Sequence, residues 1–444
     1  MDIFGLLPGF GNLAFTIAAF VVALSVIVAV HEYGHYIVGR WSGIDAEVFS
    51  IGFGPVLFSR VDRRGTTWQV AALPFGGYVK FLGDSDASSV RSTPVQDPER
   101  ARRTMQGAPL WARSATVAAG PLFNFALSIL VFAGYFMIGG VALDRPVVGD
   151  LKDLPTVAAT ELQPGDVILA VDGAETPDMS SFMRAVDAME PRDVLIYTVE
   201  RDGDRRDVSG PFPFPPLAET VQPQSAARDA GMRSGDLVLS IDGEEIAAFR
   251  ELRERIAESE GAPVRMEIWR AGETFEVELA ARSQDLPTAD GGFETRWLLG
   301  ITGGMVFGTE TRRPGPLEAL AIGADRTLFI AQTSLSGLWH MITGAISSCN
   351  LSGPIGIAET SGAMAADGLA SFIWFIAVLS TAVGLINLFP IPILDGGHLV
   401  FHAWEAVTGK PPSDRALQVL MAVGLAMILS LMVFAIGNDL FCPR

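Results

Sequence analysis

Two cysteines, Cys349 and Cys442, are all that 444 residues contain. They form no C-x-x-C and no Cys/His zinc spacing, which argues against a disulfide scaffold or a cysteine metal centre. Charge is also scarce, at 18% of residues, against 49% hydrophobic residues. With a mean hydropathy of +0.34, that balance describes a membrane protein carrying a substantial soluble part. Basic residues are outnumbered, and the formal net charge is -18. The acidic excess lies mostly in the polar middle of the chain, which excludes nucleic acid as a natural partner. A basic leader is missing as well. The opening Met1-Asp2-Ile3-Phe4 is acidic and no A-x-A cleavage site follows, so the first apolar run is expected to be a retained span.

That run, Ala14 to Val30, ends in His31-Glu32-Tyr33-Gly34-His35. On a helix, residues four apart leave from one face. His31 and His35 are therefore placed as two nitrogen ligands of one zinc ion, with Glu32 beside them as general base. Ionisable side chains at membrane depth are costly and are functional candidates by default.

Four spans are expected. The first occupies residues 1–42 and carries the H-E-x-x-H motif. Residues 43–109 follow as a hairpin region rich in arginine, which places it in the cytoplasm by the positive-inside rule. Its two apolar hairpins leave two alternatives open, a membrane-reentrant pair or a small cytoplasmic sheet. Residues 83–107 read as polar and flexible. The second span, 110–142, contains Gly120-Pro121 and Asn124, which either faces the site or, the preferred reading, makes an interhelical hydrogen bond.

Residues 143–285 contain an internal repeat. Gln163-Pro164-Gly165-Asp166 into Val171-Asp172-Gly173 matches Arg233-Ser234-Gly235-Asp236 into Ile241-Asp242-Gly243. Each copy predicts a strand, an Asp-Gly turn, a helix and a closing hairpin, with boundaries at 143–214 and 215–285. Residues 286–366 read as a surface region outside the cytoplasm. The apolar stretch from Leu317 to Ile346 is broken by charges and lies on the membrane instead of crossing it.

The third span, 367–398, ends in Asn387-Leu388-Phe389-Pro390-Ile391-Pro392-Ile393-Leu394-Asp395-Gly396-Gly397-His398. Two prolines stop the helix, which leaves Asp395 on extended backbone. A cytoplasmic loop, 399–415, and a fourth span, 416–444, complete the chain. With this topology His31, His35 and Asp395 meet at one depth, toward the cytoplasmic side. Asn387 is placed to bind substrate backbone or orient a ligand. His398 and His402 are read as structural neighbours, and His340 as an interfacial residue.

The repeat copies resemble PDZ domains, most closely at Ser225-Ala226-Ala227-Arg228-Asp229-Ala230-Gly231-Met232. The first copy has Thr156-Val157-Ala158-Ala159-Thr160-Glu161-Leu162 in that place. The whole chain resembles the bacterial site-2 proteases, through H-E-x-x-H, Gly52-Phe53-Gly54 in the first hairpin, the tandem repeat and N-x-x-P-x-P-x-L-D-G-G. The resemblance implies a multi-pass α-helical membrane protein with membrane-associated β-hairpins and two PDZ-like α+β domains outside the cytoplasm. It implies Zn2+ on His31, His35 and Asp395, with Glu32 catalytic and Asn387, Gly52, Phe53 and Gly54 touching substrate. The implied partners are the bilayer, single-span proteins already trimmed by another protease (anti-sigma factors and remnant signal peptides), and peptide ends at the PDZ-like domains. The alternative of another class is a catalytically silent scaffold displaying PDZ domains.

Overall fold

The computed structural model describes residues 7–84, 97–155, 160–192, 194–288 and 293–442. Much of the stretch read as flexible, and the small-residue segment from Thr156 to Ala159, lie outside the described residues. The helices, in chain order, are α1 (Leu7–Trp41), α2 (Pro98–Ala101), α3 (Leu110–Gly139), α4 (Met179–Ala188), α5 (Ala226–Asp229), α6 (Phe249–Glu258), α7 (Pro316–Ile342), α8 (Pro354–Ala366), α9 (Leu369–Asn387), α10 (Asp395–Thr408) and α11 (Asp414–Phe441). Four of them, α1, α3, α9 and α11, are long and apolar enough to cross a membrane. Helix α7 does not meet that measure.

The chain divides into two compact units, one from residues 1–135, 316–343 and 351–441, the other from 136–315, 344–350 and 442–444. In the helical unit, backbone carbonyls and small side chains replace the hydrophobic drive that lipid removes. The Ser128 hydroxyl donates to the Ala377 carbonyl at 2.8 Å, and the Ser380 hydroxyl to the Asn124 carbonyl at 2.9 Å. The Thr381 hydroxyl donates to Ser128 Oγ at 2.9 Å. This buried ladder fixes α3 against α9. Gly323 brings α7 against the Ile129 carbonyl of α3, and the Arg326 guanidinium lies over the Trp374 ring at 5.2 Å. The Asp439 carboxylate of α11 caps α8, accepting from the amides of Gly353, Ile355 and Gly356 at 2.8, 2.9 and 3.1 Å. A negative charge at a helix start satisfies donors that the helix itself cannot.

The hairpin region is a sheet folded back on itself. Strand β1 (Ala46–Val61) pairs with β2 (Thr67–Phe81). Residues Val48 to Ile51 pair with Gly77 to Lys80 on one side and with Thr67 to Val70 on the other. Residues Phe58 to Val61 take the far side of the 67–70 segment. The segment from Gly77 to Lys80 is therefore an edge. Large apolar side chains stay exposed toward the bend, including Phe53, Leu57, Phe58 and Leu73.

One expectation changes at the end of α9. Asp395 is not on extended backbone. It opens α10, a helix of 14 residues that runs where a loop was expected. The prolines do end α9, but Leu394 is extended and acts as the N-cap. Gly396 and Gly397 then allow the new helix to lie on the carbonyls of Leu388, Phe389 and Ile391. An aspartate in the first turn also suits the helix dipole.

In the second unit the two stretches of similar sequence each form a sheet. Two four-stranded sheets share one order. The strands of the first are 174–175, 167–171, 195–201 and 204–210; those of the second are 244–245, 237–241, 263–270 and 273–280. In both, the Asp-Gly turn residues Asp172-Gly173 and Asp242-Gly243 take positive φ, as a tight hairpin turn needs. Asp166 is held by Arg201 at 2.6 and 2.7 Å, and Asp236 by Arg270 at 2.6 and 2.7 Å. Both carboxylates are fully buried. The same planar, bidentate pair thus locks the Gly-Asp turn of each copy.

The expected ends at 214 and 285 fall short. Residues Ile301–Gly303 pair with Ala218–Val221, and Phe307–Thr309 with Val148–Leu151. Val306 and Phe307 are buried in the first core, Leu299 in the second. The second module is nested within the sequence of the first, because the early strands of each need partners that only the returning chain supplies.

The two cysteines are joined. Cys349, in a short turn, bonds to Cys442 directly after α11, 93 residues away. No local spacing could announce such a pair, which is why the sequence argued against it. Beside it, the Asp285 carboxylate accepts from the Ser347 amide at 2.8 Å, from the Thr295 hydroxyl at 2.7 Å and from the Asn350 side-chain amide at 3.2 Å.

Two expected outcomes follow for this corner. In protein purified without reductant, thiol titration under denaturing conditions should find no free thiol until a reductant is added. The hydrogen bond from the Ser347 amide, with those from Thr295 and Asn350, holds the Asp285 carboxyl below its ordinary value. A depressed folded pKa means that this contribution is complete above about pH 3.9 and is lost as pH falls through the folded value. Protection of the Ser347 amide from hydrogen exchange should drop over that window. In Asp285→Asn the drop should be absent.

Candidate active site

Helix α1 turns His31 and His35 to one side, with ring centroids 4.7 Å apart. Their Nε2 atoms lie 3.1 Å from each other. The turn from Ile391 to Leu394 delivers Asp395 to the same point, where its Oδ2 is 3.1 Å from His31 Nε2 and 3.5 Å from His35 Nε2. That oxygen is buried and has no hydrogen-bond partner among the described residues. Tetrahedral ligands about 2.0–2.1 Å from zinc stand about 3.3 Å from one another. Two imidazole nitrogens and one carboxylate oxygen at these separations fit zinc in both size and donor chemistry.

His35 Nδ1 lies 2.8 Å from the Thr116 carbonyl oxygen. A carbonyl only accepts, so Nδ1 carries the proton and Nε2 keeps its lone pair for a metal. Glu32 takes the next position on α1 and lies against the backbone amide of Val79. All four side chains line a cavity of about 400 Å³, together with Gly77, Tyr78, Val79 and Asn387. His398 and His402 are in its wall but outside the three-atom cluster. His340 lies on α7 and donates from Nδ1 to the Ser336 carbonyl at 2.8 Å.

Gly52, Phe53 and Gly54 fall in the first hairpin, as expected. They lie on β1 and are not in the cavity wall. Phe53 instead stacks on Tyr78, with centroids 5.9 Å apart. The wall is formed by the edge from Gly77 to Val79. The signal for this was the Gly76-Gly77 doublet, since a Cβ on Gly77 would stand 3.2 Å from Glu32 Cγ.

Gly120 was also unassigned. A Cβ there would stand 2.3 Å from His35 Nε2 and 2.8 Å from His31 Cε1. On α1, a Cβ on Gly34 would stand 2.6 Å from the Ala119 carbonyl oxygen. The two glycines let the spans touch backbone to backbone behind the imidazoles.

The profile of peptidase family M50 matches residues 19–431. The chain belongs to peptidase family M50. A protein of Rhizobium meliloti named as a candidate zinc metalloprotease is 37% identical over 433 residues, 97% of each chain. The regulator of sigma-E protease RseP of Escherichia coli is 34% identical over 453 residues, 95% of this chain and 98% of its own. That of Salmonella typhimurium is 33% identical over 458 residues, 96% and 99%. This M50 peptidase is a zinc-dependent intramembrane metalloprotease.

Gly120→Ala should drive a methyl group into the His35 ring and cost most of the bound zinc, at least tenfold in occupancy at limiting metal. Gly134→Ala on the same helix, where a Cβ meets nothing within 4 Å, should bind zinc as the parent does. Metal analysis of the two purified variants checks both.

Proposed function

We propose that this M50 peptidase cuts peptide bonds inside the membrane segments of single-span proteins that another protease has already trimmed. His31, His35 and Asp395 hold the zinc, and Glu32 is the catalytic base. The observation that carries this reading is the convergence of three lone-pair donors beside Glu32 in one cavity at the end of an apolar helix. Zinc in such a site supplies Lewis acidity and lowers the pKa of a water toward about 7. Glu32 takes a proton from the attacking water and passes it to the departing amine as the C–O bond forms and the C–N bond breaks.

A helical substrate hides its carbonyls in its own hydrogen bonds, so the cut segment must become extended first. The edge from Gly77 to Lys80 offers it replacement partners beside Glu32. Phe53 supports that edge through Tyr78, and Gly52 and Gly54 shape the bend behind it. Asn387, at the end of α9, offers its amide to the same extended backbone. The exposed apolar bend of the sheet supports a place in the membrane over a place in water.

Arginine clustering in residues 43–109 supports a cytoplasmic location for the site. The disulfide after α11 supports an oxidising compartment for the opposite end. The protein then resides in the inner membrane with its two PDZ-like modules in the periplasm. These admit trimmed substrates and receive peptide ends. The names of the E. coli and Salmonella relatives favour an anti-sigma factor among the substrates, with remnant signal peptides as a second group.

Glu32→Gln in purified protein should retain zinc and lose cleavage of a single-span model substrate by about 10³-fold or more, as loss of an essential base requires. Undiminished cleavage would refute the assigned base. Zinc bound normally without any cleavage by the parent enzyme would favour the silent scaffold.

A further inference from the structure

Asn124 is completely buried on α3, and its side-chain amide lies 3.1 Å from His31 Nδ1. The opposite nitrogen of that ring, Nε2, is the one aimed at Asp395 and His35. The amide nitrogen faces Nδ1 here, and Oδ1 is buried without a partner among the described residues. This orientation suits only a ring protonated on Nε2. A ring that gives its Nε2 lone pair to a metal must carry its proton on Nδ1, and a proton there needs an acceptor. The amide's nitrogen and oxygen have the same outline, and a half-turn exchanges them. Oδ1, orphaned in one orientation, then accepts from His31 Nδ1.

The placement is built in depth. Thr116, Gly120 and Asn124 are spaced four residues apart and form one stripe of α3. The Thr116 carbonyl accepts from His35, Gly120 gives both rings room, and Asn124 faces His31. Asn124 is itself anchored, since its backbone carbonyl accepts from the Ser380 hydroxyl at 2.9 Å.

We infer that Asn124 is a positioning residue that turns its amide oxygen to His31 Nδ1 when zinc binds, fixing the ring in the tautomer that ligates through Nε2. The inference rests on His31 being a ligand, as proposed above. Outer partners of this kind change metal affinity by about 10–100-fold when removed.

The test is the zinc dissociation constant of the full-length protein in detergent, measured by chelator competition. Asn124→Leu keeps the shape and removes the acceptor, and should weaken zinc binding by about 10–100-fold. Asn124→Asp keeps the acceptor and should stay within about threefold of the parent, or bind more tightly, as a carboxylate–histidine pair does. Nitrogen-15 histidine spectra of the zinc-loaded parent should show His31 protonated at Nδ1. Parent-like affinity in Asn124→Leu overturns the inference, as does Asn124→Asp binding as weakly as Asn124→Leu. Should Asn124→Leu fail to accumulate, the Asn124→Asp affinity and the spectra decide alone: a loss beyond tenfold, or a proton on Nε2, overturns it. His31→Ala is the control for the underlying reading. If it binds zinc like the parent, both the ligand assignment and the role of Asn124 fall. If it loses zinc while Asn124→Leu does not, only Asn124 is misassigned.

Discussion

The close approach of α1 to α3 is the contact on which the rest of the site depends. Lipid cannot hydrogen-bond to a buried imidazole, so every ring nitrogen at this depth must find its partner in protein or metal. Gly34 and Gly120 remove the side chains that would hold the two backbones apart. The Thr116 carbonyl and the Asn124 amide then reach the outer nitrogens of both rings. The inner nitrogens are left facing one another and Asp395, and in the metal-ligating tautomer their lone pairs converge on one point. The fold thus concentrates its electrostatic demand at one point, which a divalent metal relieves.

How much of this could be read from the residues depended on whether the signal was local. H-E-x-x-H is a statement about one helix face, and it located His31, Glu32 and His35 directly. Asp395 needed topology as well, because the two halves of the site are separated by most of the chain. The doubled Pro390 and Pro392 marked the end of α9, yet not the helix that begins at Asp395. That start depends on glycines packing on specific carbonyls, a tertiary fact. Gly120 and Asn124 were visible as a glycine and an amide in an apolar span, but their use depends on which way α3 faces. The disulfide had no signal at all, for two cysteines 93 residues apart can be joined only by the folded chain.

The repeat shows the same division. Gly-Asp and Asp-Gly turns are local chemistry, and both copies adopt them. The arginine that clamps each buried aspartate is 34 or 35 residues away, on the third strand of its sheet. Its position was set by the hairpin register, which sequence spacing alone does not reveal. The nesting of one module in the other was hidden for a further reason. Strands of three residues, such as those at 301–303 and 307–309, carry too few alternations to be recognised as strands. They exist because a half-finished sheet edge is waiting for them.

The edge from Gly77 to Lys80 connects these physical points to catalysis. An unpaired strand edge is normally a liability that proteins cover or charge. Here it faces the cavity beside Glu32, with Gly77 packed on that side chain. In the function proposed above, that edge would pair with an extended chain and hold it beside the three donors. The energy that compensates a substrate for its lost helical hydrogen bonds would then be released next to Glu32, so that unwinding and positioning would be one event. A helix that stays wound gains nothing from the edge. On the proposed reading, selection against stable helices would follow from the site's own geometry.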